Sequence, residues 1–159
     1  MNNLDEIKKC NKSEIIEIFN DQLIQFINQL EIIVIECYNN NIINCIIKDD
    51  IIFYKNLANT TLYLTHSYII ESFGRYIVRN SDIVPAIMSN DINFVLNYNF
   101  ENDESINKYK EKYKNNLNIE DLIKIIKQTI QYFSDKNKSL IFEYLQILSQ
   151  ITIVYMSKI

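Results

Sequence analysis

One glycine, one proline, one histidine and no tryptophan occur in this chain of 159 residues. Each scarcity removes a class of chemistry. Gly74 alone cannot build a Walker loop or a dinucleotide fingerprint, since both need several glycines for backbone amides to approach phosphate. His66 alone cannot anchor a multi-histidine metal centre, and Cys10, Cys37 and Cys45 lack zinc-finger spacing. A Cys–His or Ser–His nucleophile would have to use His66, whose ordinary reading is a partly exposed residue between helices. One Gly and one Pro leave little turn chemistry, so no β-hairpin is expected. An odd cysteine count without CxxC spacing predicts a reduced, cytosolic setting. The opening MNNLDEIKKC has neither the apolar core of a secretory leader nor the Gly of a myristoylation signal.

Basic charge is also short. The net charge of −4 disfavours a general nucleic-acid binder, because phosphate contact needs a basic face. The weak candidate patch is Lys108, Lys110, Lys112 and Lys114, which alternate with Tyr109, Glu111 and Tyr113. Such a segment can track a phosphate backbone while its tyrosines stack on bases, but a solvated face is the simpler reading. Asp49-Asp50, Asp103-Glu104 and Glu120-Asp121 are read as helix starts, where negative charge complements the dipole. No catalytic residue, metal ligand or cofactor site is expected.

What the chain has in excess is Ile and Asn, together roughly a third of its residues. Such a bias most simply reflects A+T-rich coding, with Ile supplying core and Asn supplying caps, turns and neutral surface. The segment organising the rest is Leu140 to Ile159, LIFEYLQILSQITIVYMSKI. Glu143, Gln146 and Gln150 trace one thin polar stripe, and apolar residues cover most of the remaining circumference. A helix of that kind belongs inside a helical assembly. Its polar stripe, like Glu31 and Glu36 in the other long apolar run, argues against a membrane span.

Along the chain, Asn11 followed by Glu14 forms a capping pattern ahead of a helix from Lys12 to Tyr38. Its inward stripe includes Ile15, Ile16, Phe19, Leu23, Phe26, Ile27, Leu30, Ile33 and Val34. Asn39 to Asn41 ends it, and Ile42 to Ile47 makes a short apolar return. Asp49 or Asp50 is expected to cap a helix to Thr65 with Ile51, Tyr54, Leu57, Ala58, Thr61 and Leu64 inward. Ser67 caps the next, to Asn80, and Asp82 a short one with Pro85 in its first turn. After the Asn90-Asp91 break come a further turn or two, then the most polar stretch, 97–118, read as a flexible connection. Asn118 is expected to cap a helix carrying Leu122, Ile123, Ile126, Ile130 and Phe133, with a turn at Ser134 to Lys138. The result is a single all-α domain over 1–159: a helical bundle of about six to eight helices with a buried C-terminal helix.

The blocks FNDQLIQFINQLEII (Phe19 to Ile33), DDIIFYKNLANTTLYLTHSYIIESFGRYI (Asp49 to Ile77), IMSNDINFVLNYNF (Ile87 to Phe100) and NKSLIFEYLQILSQITIVY (Asn137 to Tyr155) follow one another in this order. In order and spacing they resemble a family of small uncharacterised proteins of large nucleocytoplasmic, giant-type DNA viruses. The chain departs from that pattern at the Asn-rich stretch near Tyr38 to Ile47 and at Thr65-His66, where the family has Phe-Pro and Asn-Pro. The resemblance implies a viral origin and an all-α fold, and it carries no catalytic residues across.

The leading expectation is therefore a non-enzymatic helical protein-interaction protein of such a virus, acting in the infected-cell cytoplasm or the virion. Its partners would be other proteins or a second copy. A second expectation comes from SFGRYIV (Ser72 to Val78), which is similar to the Asn-Trp-Gly-Arg motif of the Bcl family of apoptosis regulators. That likeness implies an inhibitor holding a death-promoting helix in an apolar groove. Gly74 would allow close approach, Arg75 would pair with the partner's Asp, and Phe73 would replace Trp. The plainer reading is that Gly74 makes room for a packed helix and Arg75 is solvated.

Overall fold

The computed structural model describes residues 4–97 and 119–158. Among them lie eight helices and no strand: α1 (Leu4–Lys8), α2 (Lys12–Asn39), α3 (Cys45–Leu64), α4 (Tyr68–Arg79), α5 (Ile83–Met88), α6 (Ile92–Asn97), α7 (Ile119–Ile130) and α8 (Asp135–Ser157). The chain folds as an all-α helical bundle.

Asparagine sets many of the helix boundaries. At the start of α2, the Glu14 amide donates to Asn11 Oδ1 at 2.9 Å and the Asn11 amide donates to Glu14 Oε1 at 3.4 Å, a reciprocal cap. At its end Asn41 takes φ 58°, and the Ile42 and Asn41 amides donate back to the Cys37 and Tyr38 carbonyls. The same ending recurs after α5, where Asn90 has φ 59° and Asp91 donates to Ala86. Both are left-handed turns that glycine usually fills. In a chain with a single glycine, asparagine takes over, because its short polar side chain tolerates that region.

Two boundaries differ from the sequence reading. Asn44 caps α3, its Oδ1 accepting from the Ile47 amide at 3.1 Å. The helix thus starts before Asp49 and Asp50, which lie inside it, and takes in the end of the expected Ile42 to Ile47 return. Ser134 caps α8, accepting from the Asn137 amide at 3.2 Å, so the expected turn is the first helical turn. In both cases an earlier capping oxygen was available. Ser67 and Asp82 do precede α4 and α5, yet their backbones are already helical and neither side chain makes a capping bond. Asp103-Glu104 and the Asn118 cap lie outside the described residues.

The core sits around α8, which packs against α1, α2, α4 and α5. Ile141, Phe142, Leu145, Leu148 and Ile151 are almost wholly enclosed. From α2, Phe26 meets Tyr144 at a 40° tilt with ring centroids 5.6 Å apart, and Phe19 meets Phe73 of α4 edge-on at 5.9 Å. Each such burial contributes about 1.5–3 kcal/mol. The polar stripe of α8 holds α5 in place: Gln146 Nε2 donates to the Ile87 carbonyl at 3.0 Å and to Asn90 Oδ1 at 2.9 Å. It thereby gives a second donor to a carbonyl at the end of α5 that already accepts from the Asn90 amide at 3.2 Å.

Among the described residues α8 is also the one helix long and apolar enough to cross a membrane, with half of its most apolar window buried within the bundle. Leu64, expected inward, is exposed, and Leu62 takes the inward place. Leu148→Ala is predicted to cost about 2–5 kcal/mol in urea unfolding, whereas Ile153→Ala, on the exposed side of α8, stays within about 0.5 kcal/mol.

Candidate functional site

The Phe73-Gly74-Arg75 triplet lies in the middle of α4, and its three positions face different ways. Phe73 is buried among Phe19 and Tyr76, so it belongs to the core. Gly74 faces α8: a Cβ there would lie 2.9 Å from Met156 Sδ and 3.7 Å from Thr152 Cγ2. The closely approaching helix is thus the chain's own. Arg75 is exposed.

Gly74 and Arg75 do line a shallow, mainly apolar groove of about 340 Å³, shared with Val78, Tyr155 and Met156 and edged by Glu71 and Arg79. Tyr155 donates its hydroxyl to Glu71 Oε1 at 3.2 Å, and Lys12 Nζ sits 5.0 Å from the centre of its ring. Burial first, then the charge and hydrogen bond of Glu71, pushes the Tyr155 phenol above its ordinary value. Tyr54 is raised in the same way, by burial and then by Asp121 and Asp50.

His66, the other residue singled out by its rarity, is exposed in the α3–α4 connection. Its carbonyl accepts from Asn20 Nδ2 of α2 at 3.0 Å, beside a hollow of about 370 Å³ lined by Glu17, Asp21 and Tyr63. Cys10, Cys37 and Cys45 are free thiols and none lines that hollow. No group of three or more His, Cys, Asp or Glu among the described residues is placed to hold a metal ion.

The chain matches no protein-family model, no curated protein and no solved structure.

A third surface was missed in the sequence. Ile46, Phe53 and Leu64 of α3 are 65 %, 60 % and 69 % exposed, and half-buried Leu57 lies between them. With Asp50 and Thr60 they follow a four-three-four-three-four spacing, which puts all six on one helical face. The signal was present as this second stripe, offset from the inward one. Lys108, Lys110, Lys112 and Lys114 lie outside the described residues.

Gly74→Ala is predicted to stay within about 1 kcal/mol of the parent, because the gain in helix propensity offsets a shift of the flexible Met156 side chain. Gly74→Leu is predicted to cost about 1–3 kcal/mol through overpacking, and adding Met156→Ala recovers part of it in thermal unfolding. Because the folded state holds the phenols protonated, their stabilisation is complete below the ordinary value of 10.0 and is lost as pH rises through the raised one. Unfolding free energy therefore falls as pH rises across that range, from 10.0 through the raised value, and Tyr155→Phe makes the fall smaller.

Proposed function

We propose that this chain is a non-enzymatic helical interaction protein that pairs through the outer face of α3, its partner being a second copy of itself. The single observation behind this reading is the stripe along one face of α3 on which Ile46, Phe53 and Leu64 are exposed and Leu57 between them is half-buried against the core. Its spacing reads the same in both directions. Antiparallel pairing about Lys55 sets Ile46 against the partner's Leu64, Phe53 against the partner's Leu57, and Asp50 against the partner's Thr60, whose hydroxyl would exchange its 3.0 Å bond to the Asn56 carbonyl for one to the carboxylate. Parallel pairing would press two Asp50 carboxylates together, which is costly away from water. A two-fold interface of this kind is the commonest way that chains self-associate. The face is about 27 Å long at 1.5 Å per residue, and one helix pair of that length falls near or below the roughly 1,200 Å² of a standard interface. A weak, concentration-dependent dimer is the expected species.

The resemblance to giant-virus proteins supports an origin in such a virus, with the infected-cell cytoplasm or the virion as the place of action. A second reading, a Bcl-like inhibitor holding a death-promoting helix, draws support from the apolar groove beside Gly74 and Arg75. It requires Met156 to move aside and Phe73 to take no part. Titration with amphipathic death-domain helices, followed by fluorescence anisotropy, separates the two readings: saturable micromolar binding lost in Arg75→Glu favours the second.

For pairing through α3, sedimentation velocity from low micromolar to near-millimolar concentration should show a growing dimer fraction. Phe53→Asp should abolish that fraction while shifting stability by no more than about 0.5 kcal/mol, as for an exposed site. A monomer at every concentration contradicts the proposal.

A further inference from the structure

We infer that the hollow between α2 and the α3–α4 connection is a binding site for an aliphatic ammonium group. Glu17, Asn20, Asp21 and Ile24 line it from α2, and Tyr63 and His66 close its other side. The α2 residues recur at three- and four-residue intervals, so they form one continuous face.

Asn20 is the observation that points to a ligand. It is 8 % exposed, and its amide nitrogen is committed to the His66 carbonyl. Its Oδ1 is buried without a hydrogen-bond partner. An acceptor left in that state costs about 1–3 kcal/mol, and a small adjustment of the Asn20 amide toward an N–H donor in the hollow would recover it.

The surroundings specify the donor. Glu17 and Asp21 stand one helical turn apart as like charges, a pairing that costs a few tenths of a kcal/mol in an isolated helix. Neither has an ion-pair partner among the described residues. A positive charge placed between them removes that repulsion. Ile24, partly exposed, and Leu62 supply an apolar wall, and the Tyr63 ring, 84 % exposed, can lie over a cation. An apolar wall suits methylene groups better than a hydrated metal ion. A primary ammonium on an alkyl chain meets every requirement: N–H donors, one positive charge and a greasy stem. Free diamines and polyamines carry that chemistry, and so does a lysine side chain on another protein.

The test is a ¹⁵N chemical-shift titration of the full chain at constant ionic strength, using cadaverine as one probe and a lysine-containing peptide with blocked ends as the other. Saturable shifts are expected at the Asn20 side-chain amide, Tyr63 and His66. In Glu17→Gln/Asp21→Asn, two exposed and conservative changes, affinity for the better probe should fall at least tenfold while the rest of the spectrum is unchanged. Tighter binding of cadaverine identifies a free amine as the ligand, and tighter binding of the peptide identifies a protein lysine. The inference is overturned if neither probe gives saturable shifts there, if sodium chloride alone reproduces them, or if the double variant binds as the parent does.

Discussion

Enclosure of α8 is the constraint on which the bundle depends. A helix apolar over most of its circumference has to be covered on several sides at once, and α1, α2, α4 and α5 do the covering. Small residues at the contact permit close approach: Gly74 on α4 faces Thr152, whose hydroxyl is satisfied internally by the Leu148 carbonyl at 2.7 Å. Ser72 and Ser149 are likewise buried on these two helices. With the backbones drawn together there, Met156 comes to lie over Gly74 and forms part of the groove.

The placement of the surface features follows from that arrangement. α2 packs on α8, α3 and α4, and the α3–α4 connection passes beside its Glu17–Ile24 face. Asn20 ties that crossing down through the His66 carbonyl, and the hollow is what remains beside the tie. On α3 the inward side is taken up by Ile51, Ala58, Thr61 and Leu62, and Lys55 bonds Glu31 of α2 at 3.1 Å. The stripe from Ile46 to Leu64 is the shoulder that none of these contacts uses. Ile46, Phe53 and Leu64 leave an apolar edge of α3 exposed, which is why it carries a functional reading.

Features encoded locally were legible in advance. The Asn11–Glu14 box and an unbroken inward stripe predicted α2 to within a residue. Boundaries failed where several capping residues competed: Asn44 preceded Asp49 and Asp50, and Ser134 preceded Leu140. Leu64 was misplaced because α3 carries two apolar stripes, and spacing alone does not say which one faces the core. The hollow was not legible at all. It joins Asn20 to His66, forty-six positions apart, and only tertiary packing reveals that an asparagine in a run of polar helix positions is buried with one acceptor unused. Gly74 was legible as a point of close approach, but its partner proved to be Met156 of the same chain.

Native-state hydrogen exchange across the described helices addresses the central role of α8 most directly. If α8 is the enclosed member, its amides from Ile141 to Thr152 exchange only by global unfolding, with the slowest rates in the chain and the steepest dependence on denaturant. If those amides instead open at low denaturant while α2 and α4 stay protected, the bundle does not depend on α8, and the interpretation of Gly74 and of both flanking surfaces fails with it.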